Sequence, residues 1–547
     1  MEKRLLLAIA LSFLVLILFQ VVFVKAPAEA PIEVQEAAVR EQAVPAEEPA
    51  LPDPEPPAPI VQDPVSTSPV SAQSEKNLIV ETSLYRAKWT NRGALLKSWR
   101  LENHLDEDNE PLELVSRSAE ELELFPFQIR SEDPAFDQTA NHALYEYSVS
   151  RLELSGGRSG EIRFTYADEQ GNRIAKIFTF TDGSYEVGIR LEARKQGADI
   201  NPGLVWGPSF GTLTPATQRS RYGGGKGVAV LAAQKVTHHN ENKYQLEKSI
   251  SNYAEWAAYE DNYYTALFIL SPQEKNAVFH ADEQETKTIY SLSVLSPQSI
   301  YIGPKEFDTL KAFHPGTEKV INFGFFGLIA EILYKGIKAI HNVFPNWGFS
   351  IIILTIIIKI LFFPLTYSST KSMAKMQELQ PKLKALRAKY KKAKQDIEQR
   401  RKMNEEMMAL YKKEGINPAG GCLPILIQLP IFWGFFRLLV VAVEFRHSPF
   451  IFWITDLSLK DPFYVTPILM GLTQFISQKM TPTTADSSQQ KIMLIMPVVM
   501  TIFFMNFQSG LVLYWLTNNV LQIGQQYLMN RITHKKKSET HGKRRKK

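Results

Sequence analysis

One cysteine, Cys422, stands in 547 residues. No intrachain disulfide and no cysteine-based metal cage can form, so any part exported to an oxidising compartment holds together by core burial alone. Other site chemistry is thin as well. His238-His239 has no third ligand at a recognisable spacing and reads as a solvated loop. Gly223-Gly224-Gly225-Lys226 has the wrong spacing for a phosphate-binding loop, and no Ser or Thr follows the lysine, so it reads as a glycine-rich turn. Long apolar runs are missing between about residues 26 and 320, which excludes membrane spans from the first half beyond its start.

What is present is unevenly distributed. The net charge of +5 hides a crowding of Lys and Arg between Lys371 and Lys413 and again after Arg531, and the 45% apolar fraction hides one apolar run after another beyond residue 320. A chain this long exceeds one ordinary core, so two or three units are expected.

Lys3-Arg4 precedes the apolar run Leu5 to Val24. A cleaved signal peptide has an apolar region of only about 7–15 residues before a small-residue cleavage site. Ala26-Pro27-Ala28 mimics such a site but contains proline, so residues 1–25 read as an uncleaved signal anchor with its start in the cytoplasm. Residues 26–76, with EEPALPDPEPPAP among them, read as a disordered, extended tether. Between 77 and 320, short runs of Ile, Phe, Thr, Tyr and Val are punctuated by Gln170-Gly171-Asn172 and Asp182-Gly183, which suit hairpin turns. They predict a large antiparallel β-sandwich. Within 321–345, Glu331, Lys335 and Lys338 recur opposite Leu328, Ile329, Ile332, Leu333, Ile337 and Ile340, the pattern of an interfacial amphipathic helix.

Gly348 to Tyr367, GFSIIILTIIIKILFFPLTY, reads as a spanning helix, since about 20 residues at 1.5 Å each cross the hydrocarbon core. It holds one full charge, Lys359, with Thr355 one turn earlier on the same face and Thr366 on that face again. A lysine near the bilayer centre costs roughly 2.5–3.5 kcal/mol. Lys359 either faces a bundle interior or wet cavity, or snorkels to the nearer interface along its stem.

Residues 369–416 are basic and helically periodic, with Met373, Met376, Leu383, Leu386 and Tyr390 in one seam and Met403, Met407, Leu410 and Tyr411 in another. Joined through Lys391 to Gln395, they predict a helical hairpin that its charge keeps in the cytoplasm. It is either a solvated spacer or a docking arm for a nascent chain, a ribosome or anionic lipid. Further spans run over Leu423–Val443, Phe463–Met480, Ile492–Phe507 and Leu511–Leu528. Asn518, Gln522 and Gln525 share one face of the last, for interhelical hydrogen bonding or for lining a wet groove. The basic tail 531–547 reads as disordered and cytoplasmic. The count is six spans, with both ends inside.

With that order in hand, the chain resembles the YidC/Oxa/Alb family of membrane protein insertases in its Gram-negative form. The matching stretches include NWGFSIII from Asn346, SMAKMQELQPK from Ser372, EEMMALYKKEGINPAGGCLPILIQLPIF from Glu405, DPFYVTPILMG from Asp461, QQKIMLIMP from Gln489 and SGLVLYW from Ser509. The resemblance implies a polytopic α-helical membrane protein of six spanning helices, with a five-helix insertase core in 346–530 and a large periplasmic antiparallel β-sandwich domain. It implies a hydrophilic groove closed toward the periplasm. Groove residues would be Lys359, Thr355, Gln428, Asn518 and Trp515, and substrate helices would slide past Phe432, Met470 and Phe503. Lysine stands at 359 where arginine is most familiar, and Trp515 stands where a tyrosine is frequent.

The implied partners are nascent membrane proteins, the ribosome through hairpin and tail, the Sec translocon and the inner-membrane bilayer. No enzyme activity, cofactor, metal or nucleic acid substrate is implied. Two other classes remain for comparison. A solute transporter would show paired repeats with interrupted helices, and no matching halves are visible. A membrane-anchored carbohydrate-binding or carbohydrate-active protein would need an acid and base carboxylate pair in the β domain for turnover, and none stands out.

Overall fold

The computed structural model describes residues 69–106, 108–211, 226–241, 248–251, 253–273, 275–284, 287–390, 396–416, 423–481 and 487–545. The expected signal anchor, most of the linker, Gly223–Gly225, the hairpin break Lys391–Gln395 and Cys422 lie outside the described residues.

Alternation of apolar and polar side chains builds the first half. In the strand Ser159–Ala167, Ile162 and Phe164 are buried while Glu161 and Arg163 face outward. That strand pairs antiparallel with Arg173–Thr181, which pairs with Glu186–Lys195 across the turn at Asp182-Gly183. Gly183 supplies the left-handed φ of +79° that the tight turn requires. The three strands sit in a ten-stranded sheet, and the remaining strands form two five-stranded sheets. The expected antiparallel sandwich therefore needs two amendments. Hydrogen bonding divides the strands among three sheets, and Asn77–Glu81 runs parallel to Arg151–Glu153.

Aromatic packing takes the place that disulfides hold in many exported domains. Trp89 lies 4.4 Å from Phe178 and 5.1 Å from Phe127 between ring centroids, and all three are fully buried. Beside them Lys176 is buried, with no carboxylate partner among the described residues. Its ammonium donates to the carbonyls of Gly93 and Phe127, both at 2.7 Å, and burial pushes its pKa down to about 7.

Two expectations are corrected here. Residues 69–76 belong to the domain and not to the tether. Val70 and Ala167 exchange backbone hydrogen bonds of 2.8 and 2.9 Å, and Glu75 is held by Arg92 and Lys97. His238 lies in the strand Lys235–Asn240 and not in a loop. Its Nδ1 is 2.6 Å from Oε1 of buried Glu260, whose other oxygen accepts from Lys305. Buried carboxylates need such partners, and sequence spacing alone does not reveal them.

The second half is helical. The helix α1 (Gly327–His341) buries Ala330, Leu333, Tyr334 and Ile337 and leaves Leu328 and Ile332 exposed. It is tied at one end by Lys338 to Asp308 at 2.6 Å, and by Tyr334, whose hydroxyl donates to Glu444. Next comes α2 (Trp347–Leu361), capped by Asn346, whose Oδ1 accepts from Phe349 N at 3.0 Å. It stops at Phe362, and α3 (Phe363–Glu378) leaves at 61°. The single span expected from Gly348 to Tyr367 is thus a bent pair. Pro364 accounts for the break, since it lacks an N–H and its ring crowds the carbonyl four residues back.

The helices α4 (Gln380–Lys389) and α5 (Ile397–Lys413) run antiparallel, joined by Lys382–Glu414 at 2.8 Å and Lys389–Glu406 at 2.7 Å. Met376, Leu379, Leu383, Tyr411 and Ile416 form their own small core, separate from the main one. Then follow α6 (Leu423–Val441), α7 (Val465–Met480), α8 (Ser487–Phe504) and α9 (Ser509–Arg545). The last helix continues through most of the basic tail, where the sequence reading placed disorder. Among the described residues no single helix is long and apolar enough to cross a membrane; α2 and α3 pass that test together, and Leu426–Val441 and Met493–Phe504 are shorter apolar segments.

Candidate functional site

Four helices bring the charge of α2 to a pocket. Lys359 is in the last turn of α2, just before the bend at Phe362. The walls come from α2, α3, α6 and α9 and include Thr355, Thr366, Gln428, Ile431, Tyr514, Asn518 and Gln522. Lys359 Nζ donates to Oε1 of Gln522 at 2.8 Å and to Oδ1 of Asn518 at 3.2 Å. Those two side chains are one helical turn apart on α9, which lets both converge on one ammonium. Among the described residues the lining contains no acidic side chain, so the ammonium meets neutral dipoles there.

The pocket is closed in one direction. Toward the β domain, Phe435, Leu438, Leu439, Leu511 and Val512 are buried, and Phe435 stacks on Tyr514 with centroids 4.3 Å apart. In the other direction polar contacts continue, with Gln525 Nε2 donating to Thr366 Oγ1 at 2.7 Å.

Most of the expected groove residues meet here, in differing ways. Lys359, Thr355, Gln428 and Asn518 line the pocket. The Thr355 hydroxyl is already engaged, donating to the Ile351 carbonyl at 2.6 Å. Trp515 is placed elsewhere. Its indole donates to Gln474 at 3.2 Å and packs edge-on to Phe432 at 5.2 Å, because one residue along a helix turns a side chain by about 100°. The residue that faces the pocket is Tyr514, which the spacing 514, 518, 522 would have found. Of the expected slide residues, Phe503 is exposed, Phe432 is half-buried, and Met470 is fully buried, its carbonyl accepting from Asn519 at 3.2 Å.

A β-rich domain joined to a helical bundle with a lysine-lined pocket defines a two-part protein, one part built of sheets and the other of apolar helices. Two family profiles divide the chain along that boundary: "YidC periplasmic domain" matches residues 77–335 and "60Kd inner membrane protein" matches 339–537. The curated relative from Syntrophus aciditrophicus, Membrane protein insertase YidC, is 37% identical over 560 residues, covering 97% of this chain and all of its own length. That from Geotalea daltonii, of the same name, is 35% identical over 554 residues, covering 97% and 99%. A solved structure described as an active YidC insertase with its first transmembrane domain resolved is 19% identical, covers 84% of this chain and 95% of that one, and has a TM-score of 0.37. The chain belongs to the YidC family of membrane protein insertases, inner-membrane proteins with a periplasmic domain.

Proposed function

We propose that this chain inserts membrane proteins into the inner membrane by offering their polar segments a positively charged, half-open pocket part-way through the bilayer. The observation that carries the reading is Lys359 facing, among the described residues, only neutral acceptors between α2 and α9. An ammonium held this way retains its field in a low-dielectric wall and attracts carboxylates of an entering tail. The apolar segment behind that tail then leaves sideways into lipid past Phe432 and Phe503, with Met470 packing behind. Burial of that segment, at about 25 cal/mol per Å², supplies the driving force, so no nucleotide is consumed.

In this reading the bundle spans the membrane through the bent α2–α3 pair, α6, α7, α8 and α9, and the N-terminal anchor makes the sixth span. Residues 26–345 face the periplasm, while the hairpin 369–416 and the tail face the cytoplasm, following their charge. The hairpin and the basic end of α9 receive the ribosome, and the bundle works alone or beside the Sec translocon.

The test is insertion of a small single-span substrate into liposomes that contain only this protein. Protease-protected substrate should rise above the level in empty liposomes. Equal protection in both would overturn the proposal.

A further inference from the structure

Lysine carries three donors on its ammonium, and two of them are used on α9. Gln522 makes the tighter contact, in the range expected of a charge-assisted hydrogen bond, and Asn518 the longer one. Both acceptors are carboxamides, and the next polar contact along that face, Gln525 to Thr366, is neutral as well. A carboxylate at either position would bond the ammonium equally well in geometry while cancelling its charge. A purely apolar residue would leave the ammonium unpartnered or let its flexible stem swing to the interface.

We propose that Gln522 and Asn518 are positioning residues that make Lys359 selective for acidic translocated segments. They fix the ammonium in the pocket through two uncharged acceptors and leave its third N–H and its full charge for one incoming carboxylate. The proposal rests on the electrostatic reading of the pocket. It adds that α9, and not Lys359 alone, sets the preference between acidic and neutral tails. The pairing also explains how a lysine serves here: a guanidinium holds its donors in a rigid fork, whereas an ammonium needs its direction imposed from outside.

The measurement is the ratio of acidic-tail to neutral-tail insertion for one substrate made in both forms, in liposomes with the full chain. Gln522→Glu should drop the ratio about tenfold, the scale of one charge-assisted hydrogen bond. Gln522→Leu should drop it less, since charge remains but its placement is lost. Lys359→Gln combined with Gln522→Lys, which returns the ammonium to the pocket from α9, should restore the preference. A Gln522→Glu protein that keeps the wild-type ratio, or that loses both tails in equal proportion, overturns the positioning role. Lys359→Gln alone separates the two levels. If it abolishes the preference while Gln522→Glu keeps it, only the role of α9 fails; if it leaves the preference intact, the electrostatic reading itself fails.

Discussion

Gln525 of α9 donates to the Thr366 hydroxyl of α3 at 2.7 Å, on the far side of the 61° bend from Lys359. Both residues are buried, so this contact fixes α9 against α3 as Gln522 and Asn518 fix it against α2. Thr366→Val keeps the shape and removes the acceptor, which leaves a buried amide unpaired at a cost of about 1–3 kcal/mol. The expected result is a lower melting temperature in detergent and weaker cross-linking between cysteines placed on α3 and α9. An unchanged melting temperature and cross-link would remove the strap from the account.

The charge at Lys359 is open to direct substitution. Lys359→Arg should support insertion, because the charge is kept. Lys359→Glu should be the most damaging, since it repels acidic tails. Lys359→Ala should impair acidic-tailed substrates far more than neutral ones. Insertion of one substrate with either tail, at matched protein levels, decides it. Equal dependence on Lys359 for both tails would rule out attraction as its role.

Topology makes a separate prediction. Protease added to intact spheroplasts should cut within 26–345 and spare 369–416 and 531–547, because segments rich in Lys and Arg resist export. Cleavage in the hairpin would reverse the proposed orientation.

Deleting residues 80–310 should leave insertion of simple substrates largely intact, provided α1 remains. That deletion removes Asp308 from Lys338 but retains the bond from Tyr334 to Glu444 and the packing of α1 on the bundle. Extending the deletion through α1 should abolish insertion. If a folded, membrane-resident protein lacking only 80–310 inserts nothing, the β domain has a direct part in the process.

Lys176 links stability to pH. Its folded pKa, about 7, lies below the ordinary lysine value of about 10.4. Between those values the unfolded chain holds a proton that the folded domain has released, so this group makes stability rise with pH across that window, by at most about 1.4 kcal/mol per unit. Below pH 7 its penalty is fully present. Lys176→Met should flatten the rise in denaturant midpoint between pH 7 and 10, and an unchanged slope would show that the ammonium stays charged in the core.

Much of this architecture is legible in the residues. Strand alternation in 159–195, the amphipathic face of α1 and the lone charge in GFSIIILTIIIKILFFPLTY each lead to the element that carries them. What is lost is what depends on direction and distance. Pro364 was visible inside the expected span, yet a proline can be tolerated near a helix start, and only the fold tells that Phe362 ends one helix and Phe363 begins another. Trp515 is expected in the groove from the resemblance alone, while the period of α9 selects Tyr514. Glu260 lies far in sequence from Lys305, so nothing short of the folded sheet joins them or places His238 beside them.

Half of the eight tryptophans, Trp89, Trp99, Trp206 and Trp256, are fully buried in the β domain, and the indole nitrogens of the first three have no hydrogen-bond partner among the described residues. An indole shielded from water emits at shorter wavelength than a wet one, so the domain carries its own optical reporter. Its opening can be followed as a red shift in emission, in the intact chain and without attaching a label. No disulfide has to be reduced before that signal can move.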